Sequence, residues 1–195
     1  MASEKLNEAF RLFDEANRND PNKEFWKGKE YPKELLYAMR MTDKLRAFAP
    51  EAPESLQLTA RCQHIRRWEI PRESYEMNRT GYLKWRQDLK TFHADKAGTI
   101  LKEVGYDQEM INQVSFLLEK KQLKKNAETQ TLEDVICLVF LEFYFEPFSH
   151  KYPEEKLMDI LQKTWRKMSD KGHEAALKLP LSQDSLNLIT KALKG

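Results

Sequence analysis

A set of basic side chains and two histidines lies between Cys62 and Gly98. This segment reads CQHIRRWEIPRESY over 62–75 and NRTGYLKWRQDLKTFHADKAG over 78–98. Its candidate ligand-binding residues are Arg66, Arg67, Arg72, Arg79, Arg86, His93 and Lys96, and His64 lies beside them. Convergent guanidinium groups suit phosphate or carboxylate, because each offers forked donors to two oxygens at once. The segment therefore predicts an anion-binding pocket.

Structural ion pairing is the alternative interpretation of the same segment. Carboxylates that can pair with its arginines are Glu69, Glu73, Glu76, Asp88 and Asp95. The pocket is favoured because the basic residues are mixed with histidines and aromatic residues around a chain break at Pro71. His64 and His93 fit either interpretation, since a histidine near a core is commonly a hydrogen-bonded structural residue.

Other polar residues carry weaker signals. Glu133 and Asp134 precede the apolar run VICLVF, where acidic side chains commonly complement a helix dipole; a functional role is the alternative. The run KKQLKK (120–125) fits a solvated helix end or an extension of the anion site. His150 and His173 stand in polar surroundings and receive no role.

Apolar periodicity predicts helices along nearly the whole chain. Gly105 is predicted as a C′ residue and Asp107 as an N-cap. The polar stretch 17–31 is predicted as a loop, without a convincing β-segment. His64 and Arg67 then share one helix face. The predicted helices are 3–17, 32–48, 53–70, 81–104, 108–121, 129 or 131 to 147, 153–168, 173–179 and 182–193.

Composition favours one globular, all-α domain spanning residues 1–195. Hydrophobic residues make up 41% and charged residues 33% of the chain, and the net charge is +2. So small a charge makes nucleic acid a less favoured partner. Cys62 and Cys137 fall in apolar stretches and are interpreted as free thiols of a reducing compartment. No apolar run has the length of a membrane span, so we expect a cytoplasmic protein without a membrane partner.

The motifs HIRRWEIPR, GYLKWR, FHADKAG and LEDVICLVFLE together resemble an uncharacterised domain-of-unknown-function family of bacterial, fungal and plant proteins. The resemblance covers nearly the whole chain but implies no activity. Members are sometimes labelled glutamyl-tRNA synthetases. This chain has neither a HIGH-type nor a KMSKS-type motif, and it is too short for such an enzyme.

A more distant resemblance is to HD-domain phosphohydrolases, which implies an HD-like helical bundle. His64 in RCQHIRRW matches the histidine of the His-Asp pair, but Ile65 replaces the aspartate. Asp134 in TLEDVICLVF matches the last metal ligand, and Glu34 stands where the first histidine is expected. The resemblance implies catalytic roles for His64 and Asp134 and one divalent metal (Mn, Fe or Zn) held by Glu34, His64 and Asp134. It also implies that His64 and Asp134 approach one another.

Three functions are consistent with the sequence. The first is a metal-dependent phosphohydrolase acting on a nucleotide or another phosphorylated small molecule, with arginines neutralising the phosphate oxygens. The second is a module that binds a nucleotide or a phosphorylated RNA end without turnover. The third is a protein-interaction domain. Ile65 favours binding over catalysis because isoleucine cannot ligate a metal.

Overall fold

The computed structural model describes residues 4–194, which are predominantly α-helical and divide into two compact units. The first unit comprises the chain up to Arg46 together with Pro50–Lys121, and the second comprises Ala47–Ala49 and the chain from Gln122 onward. This confirms the all-α class, while a single domain over 1–195 stays a prediction. No helix within 4–194 has the length and apolar character needed to cross a membrane.

The first unit contains five helices and a short hairpin within the described residues. Its core packs apolar side chains from several of these helices, including Phe13, Leu58, Ile65 and Leu101. Ser3, the first residue of the first predicted helix, lies outside the described residues. The elements are α1 Glu4–Arg18, β1 Lys23–Trp26, β2 Lys29–Pro32, α2 Lys33–Phe48, α3 Glu54–Cys62, α4 Arg79–Val104 and α5 Gln108–Leu118; the last two residues of α2 belong to the second unit.

The hairpin corrects the prediction of a loop over 17–31. β1 and β2 pair antiparallel, with Trp26 opposite Lys29. The turn residues Lys27 and Gly28 both have positive φ, 48° and 77°, which is typical of the tight turns that join two strands. Each strand has only four residues, and Phe25 remains 73% exposed. So short and solvated a hairpin leaves little hydrophobic periodicity in the sequence.

Predicted helix boundaries are confirmed where a capping residue fixes them. The backbone of Gly105 has φ 90°, and Asp107 Oδ1 accepts a hydrogen bond from the Met110 amide at 2.9 Å. These two residues end α4 and begin α5, as their types predict. By contrast, α5 ends at Leu118 rather than at Lys121, because Lys120 adopts a left-handed conformation with φ 55°.

The second unit packs helices around a core that includes Leu138, Phe145, Leu161 and Ile189. A π-helical segment, Phe140–Tyr144, joins its first two helices. Pro147 follows within the second of them; since proline lacks an N–H and crowds the preceding turn, the wider segment accommodates it without ending the helix. The helices are α6 Ala127–Val139, α7 Phe145–Ser149, α8 Glu154–Lys167, α9 Asp170–Ala176 and α10 Gln183–Lys194.

Candidate anion-binding pocket

The chain leaves α3 at Cys62, eight residues earlier than predicted, and this early end positions His64. Arg66 is left-handed, with φ 51° and ψ 31°, and therefore cannot continue an α-helix. Its amide N–H donates to Asn17 Oδ1 of α1 at 2.9 Å. The side chain of Asn17 thus takes up a backbone donor at the turn. His64 lies in this turn rather than on a helix face, which corrects the predicted geometry.

His64 links a buried carboxyl to an arginine. Its Nδ1 lies 3.1 Å from Glu34 Oε2, and its Nε2 lies 3.1 Å from Arg67 Nη1. A guanidinium group only donates, so Nε2 must accept, and the proton of the neutral ring is assigned to Nδ1, which donates to Glu34. Tyr37 stacks on the imidazole, with ring centroids 4.0 Å apart and planes 12° apart. These partners fix both the tautomer and the orientation of His64.

Burial shifts the pKa values of Glu34 and His64 in opposite directions. Burial raises the pKa of Glu34 to about 7, although Arg67 and Lys33 oppose the change. Burial and then the charge of Arg67 hold the pKa of His64 well below its usual range. The imidazole is therefore neutral at pH 7, and the carboxyl changes charge near physiological pH.

His93 of α4 is 4% exposed and has only one satisfied ring nitrogen. Its Nδ1 donates to the backbone carbonyl of Gln63 at 2.7 Å. Nε2 then carries the lone pair, and this buried atom has no hydrogen-bond partner. The rings of His64 and His93 meet edge to face, with centroids 5.8 Å apart. Burial, followed by electrostatic interaction with His64, Arg67 and Arg86, holds the pKa of His93 well below its usual range.

Both histidines line a pocket of about 280 Å³ in the first unit, part of it open to solvent. Its cationic lining residues are Arg67, Arg86, Lys90 and Lys120. No Asp or Glu stands among the described residues of the lining. No carboxylate within 4–194 forms an ion pair with Arg86. The pocket therefore presents a concentrated positive charge beside two neutral imidazoles.

The structure brings together three of the seven predicted ligand-binding residues, together with His64. His64, Arg67, Arg86 and His93 line the pocket, whereas the other four lie outside its lining. Arg66 pairs with Glu69, and Lys96 lies 5.3 Å from the ring centroid of Phe92. Arg79 is exposed on the first turn of α4.

Arg72 holds the loop before α4 instead of facing the pocket. Its guanidinium group donates to the backbone carbonyls of Tyr75 at 3.1 Å, Glu76 at 2.7 Å and Asn78 at 3.3 Å. Its five donors suit this task, because a loop carries carbonyls that no regular element satisfies. For Arg72 the structural interpretation therefore holds.

Sequence reasoning missed Tyr37, Gln63 and Lys90. Tyr37 donates its hydroxyl to Gln63 Oε1 at 2.9 Å and so joins α2 to the turn after α3. The spacing of Glu34 and Tyr37, three residues apart on one helix, is a signal that the two side chains share a face. Lys120, a candidate extension of the anion site, does line the pocket.

Asp134, predicted as a metal ligand, belongs to the second unit and forms its hydrogen bonds there. It is 2% exposed and accepts from the Ser169 amide at 2.7 Å, from Ser169 Oγ at 2.5 Å and from Gln130 Nε2 at 3.1 Å. A Cβ on Gly172 would lie 2.6 Å from Asp134 Oδ1. The carboxylate thus anchors the start of α9, and its approach to His64 stays a prediction.

The side chains of the predicted metal ligands all have protein partners, and a metal site stays a prediction. Both ring nitrogens of His64 are engaged, by Glu34 and by Arg67. The oxygens of Asp134 are occupied by Ser169 and Gln130. Within residues 4–194 no three His, Cys, Asp or Glu side chains converge as a metal site requires. Ile65, which replaces the HD aspartate, is a fully buried core residue.

The chain belongs to the family described as Domain of unknown function (DUF4202). The model of this family matches residues 7–189, a range that includes the whole lining of the pocket. No curated protein and no solved structure matches the chain significantly. Family membership accordingly assigns no activity, so the pocket itself is the basis for a functional proposal.

Proposed function

We propose that the first unit binds a phosphate-bearing small molecule, whose phosphate group enters the pocket beside His64 and His93. The observation that carries this proposal is the lining itself, which holds four cationic side chains and, among the described residues, no carboxylate. Arg67 and Arg86 are half-buried and form no ion pair with a carboxylate among the described residues, so a bound anion would offset their mutual repulsion. A phosphate-like oxyanion is the ligand class that suits this arrangement.

The position of Arg67 supports phosphate in particular. Its guanidinium carbon lies 4.8 Å from the ring centroid of Trp85, and Trp85 Nε1 donates to the Ile70 carbonyl at 2.8 Å. The arginine is thus held between an aromatic face and His64 before any ligand arrives. A preorganised guanidinium group loses little side-chain entropy when it binds an oxyanion.

The size of the pocket limits what part of a ligand it can enclose. The space of about 280 Å³ includes open solvent, so the enclosed part of the pocket is small. We expect a phosphate group to place only some of its oxygens against the lining, with an attached sugar or nucleoside toward the open side. The proposal therefore covers nucleotides and sugar phosphates without choosing between them.

Binding without turnover is favoured over metal-dependent hydrolysis of the HD type. Hydrolysis of that type needs a metal-activated water, and the side chains of Glu34, His64 and Asp134 are committed to protein partners. His64 would have to give up one of its two partners, Glu34 or Arg67, before a ring nitrogen could ligate a metal. The likeness to HD-domain phosphohydrolases stays a prediction about the fold.

Arg86→Ala is the variant that tests the proposal, measured by calorimetric titration with inorganic phosphate and by thermal shift with nucleotides and sugar phosphates. We expect phosphate affinity to fall about 10- to 100-fold, because a charge-assisted hydrogen bond contributes roughly 1.5–3 kcal/mol. The melting temperature without ligand should stay within error, since Arg86 forms no ion pair within the described residues.

Arg79→Ala is the matched control. Arg79 lies seven residues before Arg86 on α4 and is exposed outside the pocket, so its removal subtracts the same charge from the same helix. Affinity should be unchanged in this variant. Equal losses of phosphate affinity in both variants would mean that the anion is attracted nonspecifically by positive charge. A wild-type protein that binds no phosphate compound would refute the proposal.

A further inference from the structure

His93 is a residue of the pocket lining, and its buried Nε2 has no hydrogen-bond partner in the protein. The Gln63 carbonyl can only accept, so the hydrogen bond at 2.7 Å places the ring proton on Nδ1. Nε2 is consequently an acceptor, it is buried, and it has no partner. A buried acceptor without a donor costs roughly 1–3 kcal/mol. A site of this kind points to a donor that arrives with a ligand.

Protonation of the ring does not meet this requirement. His93 is packed against His64, and both stand near the guanidinium groups of Arg67 and Arg86. A positive charge on the imidazole would be buried among these cations, and the pKa of His93 is accordingly held low. The ring therefore stays neutral, and Nε2 keeps its lone pair at neutral pH.

The lining thus combines two different demands on a ligand. Arg67 and Arg86, which form no ion pair with a carboxylate among the described residues, favour negatively charged oxygens, whereas Nε2 of His93 requires a hydrogen-bond donor. A tetrahedral oxyanion that keeps one proton meets both demands at once. Phosphate carries such a proton at neutral pH, and sulfate, with the same shape and a similar charge, does not.

Resting on the phosphate pocket proposed above, we infer that the site selects protonated phosphate over sulfate, with a P–OH group donating to Nε2 of His93 while Arg67 and Arg86 bind the other oxygens. His93 then determines specificity, and the arginines supply affinity. The inference narrows the ligand to inorganic phosphate or a terminal phosphate monoester in its singly protonated form. A phosphodiester has no P–OH group and is excluded.

The test compares inorganic phosphate with sulfate on the full chain at pH 7 and constant ionic strength, by calorimetric titration. We expect the wild type to bind phosphate at least about tenfold more tightly than sulfate, because sulfate leaves Nε2 unpaired and places a lone pair against it. In His93→Leu, which removes the acceptor, the ratio of the two affinities should fall to about 1. His150→Leu alters an exposed histidine of the second unit and should leave the ratio unchanged.

The outcomes separate this inference from the proposed function. If neither anion binds to the wild type, the phosphate pocket itself is refuted. If both bind with equal affinity, the pocket stands but the selectivity does not, and a buried water is the partner of Nε2. The wild-type ratio decides this without any variant, so a poorly folded His93→Leu protein leaves the test intact. A folded His93→Leu protein that keeps the tenfold ratio would also overturn the role of His93.

Discussion

Glu34 of the first unit and Asp134 of the second are both buried carboxyls on helices, yet their surroundings differ. Asp134 accepts hydrogen bonds from a backbone amide, a hydroxyl and a side-chain amide. Glu34 contacts one imidazole nitrogen through its side chain, and burial raises its pKa to about 7. A carboxylate with several donors is a stable anchor, whereas one with few donors binds a proton readily. The resemblance to HD domains gives both residues the same role, and their hydrogen bonds separate them.

Two histidines show the same difference between the units. His173 of the second unit donates from Nε2 to the Trp165 carbonyl at 2.9 Å and stacks on the Trp165 ring at 4.2 Å. His93 of the first unit has one nitrogen satisfied and the other buried without a partner. Satisfied polar groups specify a structure, and unsatisfied ones indicate a place for a ligand. The sequence alone does not distinguish the two histidines.

Asp134→Ala should have the largest effect on stability. It removes the acceptor of three hydrogen bonds and leaves the Ser169 amide and hydroxyl without it, so we expect the free energy of unfolding to fall by about 3 kcal/mol or more. Urea unfolding followed by circular dichroism measures this change. Asp159→Ala, which removes an exposed i,i+4 pair with Lys163, should cost only about 0.3–0.5 kcal/mol. Similar losses in the two variants would contradict the anchoring role of Asp134.

Glu34→Gln should change how stability depends on pH. The folded pKa of about 7 lies above the ordinary value of 4.5, so the carboxyl's contribution is fully present below pH 4.5 and is lost as the pH rises through 7. The neutral variant avoids that loss. We therefore expect its stability relative to wild type to increase by about 3 kcal/mol between pH 4.5 and pH 8.

Urea unfolding of both proteins across this pH range measures the difference in stability, which cancels the contributions of titratable groups that do not interact with Glu34. Glu30→Gln, at an exposed position of β2, serves as the control and should give a flat difference. If the difference in stability for Glu34→Gln were also independent of pH, burial would not raise the pKa of Glu34. The contrast between Glu34 and Asp134 would then disappear.

Arg72→Ala should have the smallest effect and should distinguish a structural arginine from a binding one. Its three carbonyl partners lie in the half-solvated loop before α4, so we expect a loss of about 1 kcal/mol in stability. Phosphate affinity should be unchanged, in contrast to Arg86→Ala. Calorimetric titration and thermal unfolding of the two variants provide the comparison. Weaker phosphate binding in Arg72→Ala at unchanged stability would restore the interpretation of Arg72 as a ligand-binding residue.

The sequence predicts the helices well wherever local chemistry decides the boundary. Gly105 and Asp107 separate α4 from α5 through their own backbone conformation and side-chain hydrogen bond. Pro71 is the local signal for the end of α3, and it places that end eight residues too late. The actual end depends on Arg66 in the left-handed region and on Asn17, a residue 49 positions away.

Three of the seven candidate ligand-binding residues line the pocket, and the tertiary structure decides which ones do. Arg67 and Arg86 contribute to the pocket, whereas Arg66 pairs with a neighbouring glutamate and Arg72 binds loop carbonyls. The spacing of charges along the chain does not distinguish these two roles. Each arginine has both carboxylates and other basic residues close to it in sequence.

The sequence by itself determined the helical class, the free buried cysteines and the segment where the candidate site lies, since these follow from periodicity, composition and local clustering. Only the tertiary structure decided which polar groups remain unsatisfied. Asn17 on α1 and Tyr37 on α2 fix the turn that holds Gln63 and His64, and the Gln63 carbonyl of that turn occupies Nδ1 of His93. Whether a buried nitrogen has a partner depends on residues distant in sequence, and this dependence makes His93 a candidate for ligand recognition and His173 a structural residue.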